Sequence, residues 1–298
     1  MTAEESTGGW RHGPAIPTAG ASSVLRSADY ALKRFRTIGV PIPSPCRLEA
    51  ARAVVSSARN ARDGADDFAL LAEATRTVYE FYYISRSIGG TGGTADRRLK
   101  AALGNALSGP LDIREEEDES ARPRNTQFEL FVGAWLTCGG ATIRQAEPDL
   151  QLQIDEKWLG VAAKRVRSRR KILQRVVEAS EQGRHRTKAG LVALSIDHFI
   201  EPVDTGPDPK VAGQSLETHV PEILEAHELL MSQAHIRGFV VIGSKYEWVS
   251  TSAHGRPHLR MSTFSRFQLF ANSDEEKLAG DAFLSAFDET QRDRLSRF

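Results

Sequence analysis

Apolar residues in the first third of the chain recur at helical spacing. The clearest stripe is formed by Phe68, Leu71, Ala74, Val78, Phe81 and Tyr82. Steps of mostly three or four residues place side chains on one face of a helix, which then packs against a core. The pattern predicts a helical N-terminal domain over residues 21–108.

Two stretches without such a pattern bound this domain. Residues 1–20 mix Gly, Pro, Thr and Ser without periodicity, which predicts a disordered leader. Residues 109–123 open with Gly109 and Pro110 and contain an acidic run at 115–119. This composition favours an acidic linker, with a second domain over residues 124–298.

Helical and strand patterns alternate after the linker. Residues 125–140 have a helical apolar stripe, three short strand patterns follow at 141–146, 149–155 and 158–166, and a helix (168–183) and a strand (189–196) come next. This order predicts an α/β fold with an αβββαβ core within residues 124–200. Farther along, the pattern indicates a helix near 216–234, an apolar strand at 238–243 and one or two amphipathic C-terminal helices opening with a Ser/Asp cap.

The strand patterns place one acid and one amine near each other. Side chains alternate between the faces of a strand, so Asp149 lies on the polar face opposite to Leu150 and Leu152. Ala162 and Lys164 share a face of the next strand because they are two residues apart. After a tight turn the two strands can pair, and Asp149 and Lys164 are then expected to lie side by side.

Charge is balanced overall but uneven along the chain. Lys plus Arg and Asp plus Glu each number 39, so net charge does not indicate the class of partner. Between Lys164 and Lys188, however, ten basic residues face only two acidic ones, Glu178 and Glu181. Clustered cations bind a phosphate backbone by displacing its counterions. The predicted nucleic-acid-binding residues are Arg165, Arg167, Arg169, Arg170, Lys171 and Arg175.

Other classes of protein find no support in the sequence. No window approaches the roughly 18 apolar residues of a membrane span, and the N-terminus does not resemble a signal peptide. A cytoplasmic protein without membrane contact is therefore expected. Only two cysteines occur, Cys46 and Cys138. Neither a disulfide framework nor a CxxC metal site can be built from them.

The order of Glu129, Pro148-Asp149 and the Ala162-Ala163-Lys164 strand resembles the PD-(D/E)xK restriction-endonuclease-like nuclease superfamily. The likeness covers about 75 residues, a quarter of the chain. It implies a Mg²⁺- or Mn²⁺-dependent endonuclease or exonuclease acting on DNA rather than RNA, in restriction, repair or antiphage defence. Glu129, Asp149 and Lys164 would take the catalytic positions, with the metal on Asp149 and Glu129, and Gln182 matches a polar residue that several members place near the site.

The sequence departs from the family at Ala162, which stands where the second strand carboxylate belongs. Glu129 is the expected replacement, and Glu147, Asp155 and Glu181 are weaker substitutes. An alternative role for Glu129 is a capping box with Thr126, in which its carboxylate satisfies backbone donors at a helix start.

Ala162 keeps a second hypothesis open, in which the nuclease fold is catalytically inactive and binds nucleic acid or scaffolds a complex. In a third, the basic stretch contacts an acidic protein. The N-terminal helical domain is the expected surface for a protein partner, and a homo-oligomer is a further option.

Overall fold

The chain forms a mixed α/β structure. The computed structural model describes residues 21–60, 68–88, 97–112, 115, 121–144, 146, 149–154, 156–186, 189–197, 221–249, 258–271 and 273–295. These residues form eight α-helices and one open, mixed, six-stranded sheet. The predicted leader at 1–20 and much of the predicted linker lie outside the described residues.

Four helices precede the sheet: α1 (Ala21–Thr37), α2 (Arg47–Asn60), α3 (Phe68–Ser87) and α4 (Arg97–Ala106). Helix α3 is at the centre of this group and packs on α1, α2 and the later helix α5 (Arg122–Cys138). The sequence predicted one buried stripe on α3, but its polar residues Glu73 and Arg76 are buried as well. The middle turns of α3 are enclosed by the neighbouring helices, so these two charges need partners within the protein.

The next elements follow the predicted order. Helix α5 is followed by β1 (Thr142–Arg144), β2 (Leu150–Ile154), β3 (Lys157–Arg165), α6 (Ile172–Arg186) and β4 (Gly190–Ser195). A short 3₁₀ turn, Arg169–Lys171, precedes α6. Strands β1, β2 and β3 pair antiparallel, and β4 pairs parallel with β3.

The C-terminal part extends the same sheet. It contains α7 (Pro221–Met231), β5 (Ile236–Val249), β6 (His258–Leu269) and α8 (Asp274–Leu295). Strand β5 joins β4 in parallel and pairs antiparallel with β6, giving the order β1-β2-β3-β4-β5-β6. Strand β6 was not predicted, and β5 is longer than the predicted 238–243. The single helix α8 opens with the predicted cap, since the Ser273 hydroxyl accepts the Glu276 amide at 3.2 Å.

The sheet has a core on each face. On one face Leu152, Val161 and Ala193 join a core that includes side chains of α1 to α5 and α8. On the other face Ala162 and Val192 pack with α6 and α7. The first core contains residues from both sides of the predicted linker, so the N-terminal helices and one sheet face are buried together. No helix among the described residues is long and apolar enough to cross a membrane.

Candidate active site

The β2-β3 pairing brings Asp149 next to the strand that contains Lys164. Leu150 pairs with Val161 in the antiparallel ladder, and Asp149 lies one residue before Leu150. The Oδ2 atom of Asp149 accepts a hydrogen bond from the Ala163 backbone amide at 2.8 Å. This contact fixes the Asp149 carboxylate at the start of β2, beside β3.

Gln182 connects Asp149 to Lys164. The Lys164 ammonium donates to Gln182 Oε1 at 2.6 Å, and Gln182 Nε2 donates to Asp149 Oδ1 at 3.2 Å. An amide side chain can accept and donate at once, so it bridges a cation and an anion without a charge of its own. Helix α6 supplies Gln182 because it packs across β3 on the face that Ala162 and Lys164 share.

Glu129 completes the group from helix α5. Its side chain is half-buried. Burial, followed by repulsion from Asp149, raises the pKa of Glu129 to about 7, against the smaller lowering effects of Lys164 and Arg122. Because the two carboxyl groups repel each other when both are ionised, a cation placed between them would favour their charged forms.

The capping role considered for Glu129 is wrong. Helix α5 begins at Arg122, one turn earlier than the sequence pattern indicated, with Ala121 as its N-cap and a proline in its first turn. Thr126 therefore lies inside the helix, where its hydroxyl accepts a hydrogen bond from Asn105 at 2.9 Å. Glu129 is two turns into α5 and has no helix start to cap.

Ala162 offers no ligand to this group. Its side chain is 1% exposed and packs in the core under α6. Of the weaker substitutes, Glu181 is exposed on α6, and Glu147 and Asp155 lie outside the described residues. Among the residues that the structure describes, no three His, Cys, Asp or Glu side chains converge on one metal position.

Two carboxylates nevertheless meet the minimum for a hard cation. Mg²⁺ is commonly bound through one or two carboxylates and fills its remaining positions with water and substrate phosphates. Each carboxylate oxygen has more than one lone pair, so the hydrogen bonds to Asp149 from Ala163 and Gln182 leave acceptor capacity toward a cation. The donor set of Asp149 and Glu129 fits Mg²⁺ or Mn²⁺.

The predicted basic residues differ in how far they are exposed. Arg169, Arg170 and Lys171 are exposed in the 3₁₀ turn before α6. Arg175 pairs with Glu178 at 2.7 Å, with about two fifths of each side chain exposed, and Arg167 is half-buried. The exposed turn is therefore the part of the basic stretch best placed to contact a polyanion.

Arg165 lies apart from these cations. Strand alternation places it on the face of β3 opposite to Lys164. Its charge also contributes to lowering the pKa of Arg47, a buried residue of α2. Arg165 thus lies toward the N-terminal helices rather than with the exposed turn.

A buried ion cluster, which was not predicted, lies between α2, α3, α5 and the end of β4. Glu73 accepts hydrogen bonds from Arg76 at 2.6 Å and from Arg124. Arg76 also forms ion pairs with Glu80 at 3.8 Å and with Asp197 at 3.4 Å. The spacing of Glu73, Arg76 and Glu80 on α3 was the available signal, since it aligns opposite charges on one helix face.

Arg47 completes this cluster. Its guanidinium donates to Gln127 Oε1 at 2.5 Å and to the Ala106 carbonyl, while Gln127 donates to Glu80. Burial, and then the charge of Arg124, lowers the pKa of Arg47 to about 9. The cluster therefore contains equal numbers of basic and acidic side chains: Arg47, Arg76 and Arg124, and Glu73, Glu80 and Asp197.

Comparison of the chain with family models, curated proteins and solved structures gave no match. The likeness to the restriction-endonuclease-like superfamily therefore stays a resemblance, carried by the residues of this site.

Proposed function

We propose that this chain is a metal-dependent nuclease with a restriction-endonuclease-like αβββαβ core, which hydrolyses phosphodiester bonds of DNA. The observation that carries the proposal is the hydrogen-bonded series from Asp149 through Gln182 to Lys164, with the Glu129 carboxyl beside it. The Asp149 carboxylate could hold a metal ion, the Lys164 ammonium could stabilise negative charge on the phosphate, and the Gln182 amide positions both. These three groups suit the hydrolysis of a phosphodiester. Restriction, repair and antiphage defence are the roles that the resemblance suggests.

Asp149 and Glu129 would hold the metal. A bound Mg²⁺ would supply Lewis acidity, lowering the pKa of a water and neutralising charge on the phosphate. The residues of the chain have complementary tasks. Lys164 places a positive charge where negative charge develops on the phosphate, and Gln182 fixes the positions of both the Lys164 ammonium and the Asp149 carboxylate.

A second candidate function is an inactive nuclease-fold subunit that binds nucleic acid or scaffolds a complex. The buried Ala162 in place of a carboxylate favours it. Because Ala162 supplies no carboxylate, Asp149 and Glu129 are the only candidate ligands for a divalent ion at this site among the described residues.

A cleavage assay with matched variants tests the proposal. Linear and supercoiled DNA are incubated with the full chain and Mg²⁺ or Mn²⁺, next to Asp149→Asn, Lys164→Ala and Lys157→Ala. Lys157 is the control because it lies on the same strand with 71% of its side chain exposed. We expect cleavage by the wild-type chain and by Lys157→Ala, and its loss in the two site variants.

Direct metal binding tests the roles of the two carboxylates, and cleavage separates the two candidates. Calorimetric titration with Mn²⁺ should detect binding to the wild-type chain and weaker binding to Asp149→Asn, whether or not DNA is cut. Cleavage that persists in both site variants would contradict the nuclease proposal. DNA binding without cleavage under either metal would support the inactive subunit instead.

A further inference from the structure

The outer strands of the sheet present an open polar face next to the candidate active site. Thr142, Gln153 and Trp158 are paired across β1, β2 and β3, and Arg144, Gln151 and Gly160 form the next row. Asp149 lies one row farther along β2. Rows on one face of a sheet are two residues apart, so Trp158 lies about 13 Å along the strands from the row of Asp149.

Among the residues that the structure describes, fewer side chains cover this face than cover the rest of the sheet. The opposite side of β2 is closed, since Leu150 and Leu152 are buried in the core shared with α5. On the polar side, Gln151, Gln153 and Trp158 are half-buried and Arg144 is exposed. Helix α6 packs on β3 and β4, toward the middle of the sheet.

The guanidinium of Arg144 lies over the ring of Trp158. Its guanidinium carbon lies 4.1 Å from the centre of the Trp158 ring, and its Nε donates to Gln151 Oε1 at 2.8 Å. The hydrogen bond to Gln151 fixes the plane of the guanidinium, and the stacked ring supports it from one side. A planar cation over an aromatic ring is thus ordered in advance on an otherwise polar surface.

We propose that Arg144 and Trp158 form a stacking platform for an unpaired base of single-stranded nucleic acid, whose backbone continues along β2 toward Asp149 and Lys164. Unpaired bases stack on aromatic rings and on guanidinium planes, whereas the bases of a duplex are already stacked within it. The positive charge of Arg144 suits the phosphate backbone, and the amides of Gln151 and Gln153 supply neutral hydrogen-bonding groups. The inference rests on the nucleic-acid part of the proposed function and adds a preference for single strands.

Equilibrium binding without metal tests the platform. The anisotropy of a fluorescein-labelled single strand of about 16 nucleotides, a length at the upper end of single-strand site sizes, is measured with the full chain in EDTA at fixed salt. The same sequence as a blunt duplex is measured in parallel. The variants are Trp158→Ala, Trp158→Phe and Arg144→Lys, with Lys157→Ala as the control on the opposite face of β3.

The wild-type chain is expected to bind the single strand more tightly than the duplex. Trp158→Ala should weaken single-strand binding by roughly 5- to 150-fold, the range for the loss of one stacked base. Duplex binding should change little. Trp158→Phe should retain most of the affinity, and Arg144→Lys should lose part of it because lysine keeps the charge without the plane. Lys157→Ala should affect both ligands alike.

Equal binding of the single strand by the wild type, Trp158→Ala and Arg144→Lys would overturn the platform. So would equal losses for single strand and duplex. Arg144 is exposed, so its variant decides the matter if Trp158→Ala fails to fold. Trp158-dependent single-strand binding without cleavage would refute the nuclease and leave the platform standing. Metal-dependent cleavage by a chain whose single-strand binding is the same in the wild type and in Trp158→Ala would do the reverse.

Discussion

Replacing Glu73 with glutamine removes one negative charge from the buried ion cluster. Its carboxylate accepts hydrogen bonds from Arg76 and Arg124, and the three side chains are each exposed by less than a tenth. Glutamine has nearly the same shape but no charge. The variant therefore keeps the packing but removes the negative charge that faces the buried guanidinium groups of Arg76 and Arg124.

The cost follows from the ionisation of Glu73. Burial alone would raise the pKa of Glu73, but Arg76 and Arg124 outweigh it and lower the pKa from 4.5 to about 2. At roughly 1.4 kcal/mol per pH unit, this lowering of the pKa corresponds to about 3 to 4 kcal/mol in the free energy of unfolding. Breaking a buried ion pair by removing one partner costs a similar amount, about 3 to 5 kcal/mol.

Glu80→Gln is the matched control on the same helix. Burial raises the pKa of Glu80, Asp197 and Glu73 raise it further, and only the charge of Arg76 and the hydrogen bond from Gln127 lower it. The charged form of Glu80 is therefore stabilised less by its surroundings than that of Glu73. A glutamine at position 80 can still accept the Gln127 hydrogen bond, so we expect a loss of less than about 1 kcal/mol.

Urea unfolding at several pH values measures both effects. A carboxyl group with a lowered pKa stabilises the folded state above its unfolded pKa and loses this contribution as the pH falls through its folded value. The deficit of Glu73→Gln should therefore be complete at about pH 7 and shrink between about pH 4.5 and pH 2. Equal stability of Glu73→Gln and the wild type at neutral pH would refute the reasoning, as would equal losses in the Glu73 and Glu80 variants.

Two further predictions concern packing and charge. A Cβ atom on Gly139 would lie 2.0 Å from the Phe287 ring, so Gly139→Ala should lower the free energy of unfolding by about 1 to 3 kcal/mol. Its cost should be smaller in a Phe287→Ala background, and additive losses would contradict the clash. Replacing Arg169, Arg170 and Lys171 with alanine should weaken duplex binding and reduce the salt dependence of log K by up to about 0.9 per lost phosphate contact. An unchanged salt slope would exclude the exposed turn from the interface.

The order of elements between residues 124 and 200 could be predicted because its signals are local. Helical stripes, alternating strands and short turns are each contained in one stretch of sequence. Strand β6 was missed although Leu259, Met261, Phe267 and Leu269 alternate, because Thr263 and Ser265 interrupt the apolar pattern. Its identity as a strand depends on pairing with β5 along its length, which is a contact between distant residues.

The candidate site also has parts that could be predicted from the sequence and parts that could not. The proximity of Asp149 and Lys164 follows from two alternating strands and a tight turn, so it could be worked out from the residues alone. The position of Gln182 came from the family likeness, since it depends on how α6 crosses the sheet. The ion cluster was not predicted. The spacing on α3 indicates only that Glu73 and Arg76 share a helix face, whereas Arg124 and Asp197 reach them from other elements.

The ion cluster and the candidate active site share helix α5. Arg124 and Gln127 anchor the start of this helix to Glu73, Glu80 and Arg47, and Glu129 follows within the next turn. The direction of the Glu129 carboxyl therefore depends on charges supplied by α2 and α3. A fragment beginning at α5 would expose Arg124 without its counter-charge and release the helix that positions Glu129. The N-terminal helices are for this reason part of the structural support of the site, and the proposed metal binding has to be tested on a chain that contains them.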